Sequence, residues 1–453
     1  MSAQGDDRKR EPQDVVPSAD LGIREAALAR TKSGWLKYLA ILGPGIITGA
    51  SDDDPSGIAT YSIAGAGYGF STLWTTIVTL PLMSTVQFLC AKIGLVTGKG
   101  LAGVLRERHP RWVVLALVGA LGIANTINAG ADIGAIAAAV NLFVPVKAVA
   151  LVLPIGFIIV SLQIWGSYKV AASVFKWLAL SLLAYIGASL LAHPSLRDVI
   201  AGTFVPTIHF DSGYLATLVA IFGTTISPYM FFWQATQEVE EDVAAGRRHL
   251  WQRRGTTSAE IRYAAVDVNS GMLFSNVVMF AIILATGATL FAHGVHHIDT
   301  AAQAAQALEP IAGRFSGELL ALGLIGTGFL AVPILTASTA YAISEAVGWK
   351  HGLDETPGRA PRFYAILAAS AIVGMQVNLM GISPIMMLFW TAVINGFLAP
   401  VLLVFIMLIS NDKKVMGERR IGPLANGLGW AATLLMAAAA IALVATSVTS
   451  TGS

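Results

Sequence analysis

Three consecutive carboxylates, Asp52, Asp53 and Asp54, stand directly before Pro55, Ser56 and Gly57 in an otherwise apolar stretch. Carboxylate, hydroxyl and free backbone carbonyl groups together make an oxygen donor set, and such sets attract hard cations. Pro55 lacks a backbone donor and Gly57 tolerates unusual dihedral angles, so Asp54-Pro55-Ser56-Gly57 reads as a break in a helix. A second interruption, Gly223-Thr224-Thr225-Ile226-Ser227-Pro228-Tyr229-Met230, places Pro228 173 residues after Pro55. Asp54 is the sharpest candidate for holding a cation. Asp52 and Asp53 either lie along its path or pair with a loop.

The elements that carry these residues are membrane spans. Of the 453 residues, 55% are hydrophobic and 12% are charged, and the mean hydropathy is +0.68. A soluble domain carries about 25% charged residues, so the surface implied here is one that faces lipid. The net charge of +2 provides no field for nucleic acid. The single cysteine, Cys90, excludes an internal disulfide and a cysteine-based metal site. Residues 1–33 are polar, lack the apolar core of a signal peptide, and are expected to form a disordered cytoplasmic tail.

Apolar runs predict eleven spans, at 36–66, 70–95, 112–141, 147–165, 172–193, 213–242, 264–291, 316–347, 363–381, 383–409 and 426–447. Residues 448–453 are left as a short tail. With a cytoplasmic N-terminus and an extracytoplasmic C-terminus, 26 of the 29 Lys and Arg fall in inside segments, and only Lys147, Arg197 and Arg314 do not. That alternation follows the positive-inside rule and suits a bacterial inner membrane.

Three adjacent carboxylates at membrane depth cost on the order of 3 kcal/mol each. Irregular backbone survives there only where it is buried in protein or lines a cavity. Paired breaks five spans apart predict two inverted repeats, 36–193 and 213–409, with a substrate site at their interface and the eleventh span outside them. A kink-only role for the two prolines does not account for the carboxylate at the first break.

At these residues the chain resembles the Nramp family of divalent-metal transporters, which have the leucine-transporter-like fold. The resemblance covers about residues 35–447. Family members carry Asp-Pro-Gly-Asn in the first span and Ala-x-x-Met-Pro-His in the sixth. They bind metal through the Asp, the Asn, the Ala carbonyl and the Met sulfur. The family Asp falls on Asp54 and the Asn on Gly57, which has no ligating side chain. The Ala falls on Thr224, the Met on Ser227 and the His on Tyr229. The soft sulfur is thus absent and oxygen donors remain, a pattern similar to the Nramp-related magnesium transporters. What the resemblance implies is uptake of partly hydrated magnesium, and also manganese, as transported substrate, with no resident cofactor. Magnesium retains water readily.

The family's proton relay uses an Asp and a Glu three residues apart in the third span, the sixth-span His and ninth-span arginines. Here the third span keeps Asp132, within Asn125–Ala135, but has Ala135 at the Glu position. Tyr229 replaces the His, and the ninth span from Tyr364 to Met380 contains no arginine. The expectation is uptake without proton coupling, leaving Asp132 as a packing or hydration residue or as a surviving relay group.

The tenth span offers Thr391, at the family's Gln position, and Asn395 one turn on. Either would hydrogen-bond a metal-bound water or join neighbouring helices. Gln234 lies near the sixth-span break, within reach of a hydrated ion. Glu238 and Glu241 share a helix face and either concentrate cations at an exit or form a solvated end paired with Arg247 and Arg248. His293, His296 and His297 read as loop surface. Competing functions are transport of an organic cation or amine on the same fold, a proton-coupled manganese or iron symporter, a metal sensor, and a membrane enzyme. An amino-acid carboxylate would be repelled by Asp54. No span holds a histidine with an acid at ligand spacing, which argues against an enzyme. The unit is expected to work as a monomer.

Overall fold

The computed structural model describes residues 48–49, 51–166 and 180–451. The expected tail 1–33, the start of the first span and the start of the fifth, 172–179, lie outside the described residues. The described chain is all helical, and nine of its helical segments are long and apolar enough to cross a membrane.

Helix α1, Pro55–Tyr68, is the trailing half of the first span. Then come α2 (Trp74–Thr97), α3 (Leu101–Arg108), α4 (Arg111–Asn141) and α5 (Ala148–Trp165). The described part of the fifth span is a short turn, Leu180–Leu183, running into α6 (Ala184–Leu191), and α7 (Leu196–Phe204) follows it. The second half runs through α8 (Ser212–Thr225), α9 (Pro228–Ala244), α10 (Ser258–Thr289), α11 (Ser316–Val347), α12 (Pro361–Met375), α13 (Pro384–Asn411) and α14 (Pro423–Thr451).

Two differences from the sequence reading have local causes. The seventh span begins at Ser258, earlier than the apolar run at 264. Thr257 and Glu260 form a capping box, with the Thr257 amide donating to Glu260 Oε2 at 2.7 Å, so the helix extends through polar turns that hydropathy ignores. Helix α3 lies in a loop too short to register as a span. It buries Leu101, Ala102, Val104 and Leu105 and packs on α11.

The first break also sits earlier than expected. Thr48, Gly49, Ser51 and Asp52 are helical, Asp53 and Asp54 are not, and the helix resumes at Pro55 with Ser56 and Gly57 inside it. The residue before a proline is pushed out of the helical region, and proline itself suits the first helical position. Asp54 is extended (φ −64°, ψ 169°) and caps α1 by accepting the Gly57 amide at 2.8 Å. The sixth span obeys the same rule. Ile226 and Ser227 leave the helix (φ −118°, ψ 61° and φ −79°, ψ 130°), and Pro228 starts α9.

These broken helices occupy the centre. The most apolar window of α8 and α9 is wholly buried, whereas α5 and α14 lie at the periphery. Leu153, Phe157 and Trp165 of α5 are 62%, 70% and 75% exposed, as expected of a face that meets lipid tails. Helix α1 packs on α8, α10 and α13, and α9 packs on α2 and α11. At Gly223 the backbone of α8 meets α13 so closely that a Cβ would lie 2.0 Å from the Ala392 carbonyl oxygen. Small residues permit this approach.

Candidate functional site

The two breaks, distant in sequence, meet at one junction. Ser56 Oγ lies 3.5 Å from Thr224 Oγ1. Asp54, in the first break, is 1% exposed. Its Oδ1 accepts from Ser56 Oγ at 2.6 Å and from the Gly57 amide at 2.8 Å. Its Oδ2 faces two longer partners, Asn128 Nδ2 and Tyr229 Oη, both at 3.4 Å. One carboxylate oxygen is therefore committed to capping α1. The other is held loosely, at a distance beyond the usual hydrogen-bond range. The positive end of the α1 dipole also points at this carboxylate.

The Tyr229 hydroxyl stands 3.1 Å from the Ser51 carbonyl and 3.4 Å from Asp54 Oδ2, and its single proton serves one of them. Its backbone carbonyl accepts from Ser338 Oγ at 2.8 Å, which ties the sixth-span break to α11. Ser227 turns away from Asp54. Its hydroxyl contacts the Thr224 carbonyl at 2.6 Å and the Gly223 carbonyl at 2.9 Å, within its own chain segment. Thr224 thus keeps one carbonyl lone pair beyond the Ser227 contact. Gly57 is helical and close-packed, and a Cβ there would lie 3.3 Å from the Asp52 carbonyl and from Thr224 Oγ1.

Asp52 and Asp53 share one partner, Ser275 of α10. Its Oγ lies 2.6 Å from Asp52 Oδ2 and 3.2 Å from Asp53 Oδ1. One hydroxyl proton cannot serve both. Asp52 Oδ1 and Asp53 Oδ2 have no hydrogen-bond partner. Asp132 lies one turn after Asn128 on α4, is fully buried, and has no partner at either oxygen. No described Lys or Arg forms an ion pair with any of these four carboxylates. Uncompensated buried charge of this kind is rare outside ion pathways.

The remaining sequence candidates flank this junction. Gln234 Oε1 accepts from Thr48 Oγ1 at 2.8 Å, and its Nε2 donates to Glu238 Oε1 at 3.0 Å. This chain of bonds joins the leading half of the first span to α9. Glu241 lies half-buried further along α9. The expected pairing of Glu238 and Glu241 with Arg247 and Arg248 is replaced at Arg247. That guanidinium binds Asp242 at 2.8 Å and Glu260 at 3.0 Å, because α10 extends far enough to present Glu260. Thr391 donates to Leu388 within α13, and the Asn395 side-chain oxygen is buried without a partner. Thr391 precedes, and Asn395 lies within, the 392–396 segment that meets Gly223.

Sequence reasoning missed Asn128, Ser56 and Ser275 as members of this site. A signal for Asn128 existed: Asn125, Asn128 and Asp132 form one polar stripe on an otherwise apolar helix. Ser275 carried no such mark on α10.

The model of the Nramp family, natural resistance-associated macrophage protein-like, matches residues 45–446. The divalent metal cation transporter MntH of Bacillus subtilis is 26% identical over 422 residues, covering 91% of this chain and 93% of that protein. Among solved structures, the Eremococcus coleocola manganese transporter in complex with an aromatic bis-isothiourea compound aligns with a TM-score of 0.70 at 18% identity. It covers 91% of this chain and 87% of its own. Mhp1, a nucleobase-cation-symport-1 family transporter with bound bromovinylhydantoin, aligns at 0.54 with 14% identity, covering 89% of this chain and 93% of its own. These structural likenesses show a shared helical fold. By the extent of the family match, the chain belongs to the Nramp family.

Proposed function

We propose that this protein moves divalent metal cations across the bilayer through the junction at Asp54, taking magnesium and also manganese in partly hydrated form. The observation that carries the reading is the set of groups gathered at Asp54: its carboxylate, the Asn128 amide and Tyr229 phenol at Oδ2, and the Ser56 and Thr224 hydroxyls from the two breaks beside it, with glycine and serine at the positions where the family has Asn and Met. Hard oxygen donors suit ions that keep much of their water, and a missing thioether removes the preference for softer metals. Gly57, Thr224, Ser227, Tyr229, Gln234 and Thr391 line or border the ion's position in this reading. Asp53, Asp132, Asn395, Glu238 and Glu241 mark its path. The names of the relatives, a divalent metal cation transporter and a manganese transporter, support a divalent cation as cargo.

Transport runs down the membrane potential without proton cotransport. Ala135 and Tyr229 stand where the family relay has Glu and His, and the ninth span lacks arginine. A divalent ion gains roughly 4.6 kcal/mol per 100 mV on entering a negative interior, which is drive enough. The N-terminus lies in the cytoplasm, the C-terminus outside, and one chain suffices. Proton-coupled manganese uptake is the second reading, favoured by the retention of Asp132 in the site.

The test is uptake of magnesium, manganese and calcium into proteoliposomes with an internal pH dye. Potential-driven magnesium and manganese entry at constant internal pH is expected. Metal-dependent acidification would refute the uncoupled mechanism, and exclusive manganese uptake would refute the hard-ion assignment.

A further inference from the structure

We infer that α4 supplies the other half of the cation site: Asp132 provides the second negative charge and Asn128 a neutral oxygen ligand in place of the one missing at Gly57. The inference rests on the proposed cation site at Asp54.

The geometry begins with Asn128. It is fully buried, and its amide nitrogen lies 3.4 Å from Asp54 Oδ2. That is long for an N–H···O bond, and the other end of the amide, Oδ1, has no donor at all. A buried amide with a weak bond at one end and none at the other is poorly satisfied. Rotation by half a turn exchanges its nitrogen and oxygen without moving the helix. A cation at Asp54 Oδ2 would favour that rotation, because it repels the amide N–H groups and attracts the oxygen.

Asp132 follows on the same face of α4, one turn further. Four residues beyond it, Ile136 packs on Gly328 of α11, where Pro55 also packs. The row Asn128, Asp132, Ile136 therefore runs alongside the break, from the Asp54 side chain to the Pro55 ring. Asp132 lies within electrostatic reach of both Asp54 and Tyr229. Its two oxygens are buried and unpartnered. The neighbouring carboxylates Asp52 and Asp53 are turned to Ser275 on α10, which leaves Asp132 to face the ion from α4.

Charge balance supplies the reason. A divalent ion held by Asp54 alone keeps one positive charge without a matching carboxylate in a site buried away from bulk water. A second carboxylate makes the assembly neutral, and buried ion assemblies persist when their charges are paired. The helix that in relatives carries relay groups here carries ligands. Asp132 and Asn128 are therefore determinants of affinity, not only of hydration.

The test uses the full chain, with calorimetric binding of magnesium and manganese in detergent and uptake in liposomes. Asp132→Asn is expected to weaken binding of both metals by about tenfold or more. Asn128→Ala produces a smaller loss. The exchange variant, Asn128→Asp with Asp132→Asn, restores the charge one turn away and recovers much of the binding that Asp132→Asn loses, which a packing role would not do. Asn128→Asp alone, with an added charge, binds more tightly and provides a readout if Asp132→Asn fails to fold. Wild-type affinity in Asp132→Asn, or no gain from either variant that carries Asn128→Asp, would overturn the inference while leaving the Asp54 site intact. Wild-type affinity in Asp54→Ala would instead overturn the site itself.

Discussion

Asp54 carries two loads on its two oxygens, and substitution separates them. Oδ1 caps α1 through the Gly57 amide and the Ser56 hydroxyl, while Oδ2 faces Asn128 and Tyr229. Asp54→Asn keeps an oxygen for the cap and removes the charge. Asp54→Ala removes both. Loss of a helix cap costs about 1 kcal/mol, up to roughly 2 in favourable cases. The charge matters far more to the ion. Two unit charges 4 Å apart attract by about 4 kcal/mol at an effective dielectric of 20, and a divalent ion doubles this to about 8. Dehydration of both partners returns most of that. If a quarter survives, about 2 kcal/mol, binding still changes about 30-fold. Thermal melting in detergent without metal and magnesium uptake in liposomes are the paired assays. The expected result is near wild-type melting but background uptake for Asp54→Asn, and a lower melting temperature with equally absent uptake for Asp54→Ala. Normal uptake by Asp54→Asn would refute the charge argument. Equal melting temperatures for the two variants would refute the capping role.

Other consequences follow from the same junction. Combining Gly57→Asn with Ser227→Met returns an amide and a thioether to the breaks and should shift selectivity towards manganese and cadmium. An unchanged competition series against magnesium would show that neither position faces the ion. Gly223→Leu forces atoms into the Ala392 backbone and should destabilise the protein by about 1–3 kcal/mol, as overpacked cores do, seen as lowered melting and loss of transport together. Gln234→Leu breaks the chain from Thr48 to Glu238 and should loosen the leading half of the first span, read as faster labelling of a cysteine in a Ser51→Cys background, which keeps the Thr48 hydroxyl. Unaltered labelling would show that this chain of bonds does not hold the leading half in place.

Much of the architecture was written locally. Runs of apolar side chains mark spans because lipid demands them over about 20 residues, whatever the neighbours are. Proline sets where each broken helix resumes, since its ring constrains both itself and the residue before it. The sequence reading placed each break on a stretch that overlaps the observed one, with ends up to three residues away, and singled out Asp54 and Tyr229, which the fold brings within 3.4 Å of each other, and Asp132 on the neighbouring helix. It set the first break late because it treated Gly57 as part of the interruption, whereas the cap made by Asp54 lets the helix start at Pro55.

What the chain could not announce was who meets whom. Asn128 reaches Asp54 across 74 residues, and Ser275 reaches Asp52 across more than 200. The direction of the Ser227 hydroxyl was equally hidden, because a serine before a proline can cap the next helix or bond back to the previous one, and here the carbonyls of Gly223 and Thr224 take it. By itself the sequence determined that a carboxylate interrupts a membrane helix, and set beside the family's motif it showed glycine and serine where that motif has Asn and Met, since both follow from residue identity. Only the tertiary structure decided which groups meet at Asp54, because buried polar atoms find partners through the packing of distant helices, and that packing depends on small-residue contacts such as Gly223 on Ala392 that no local pattern encodes.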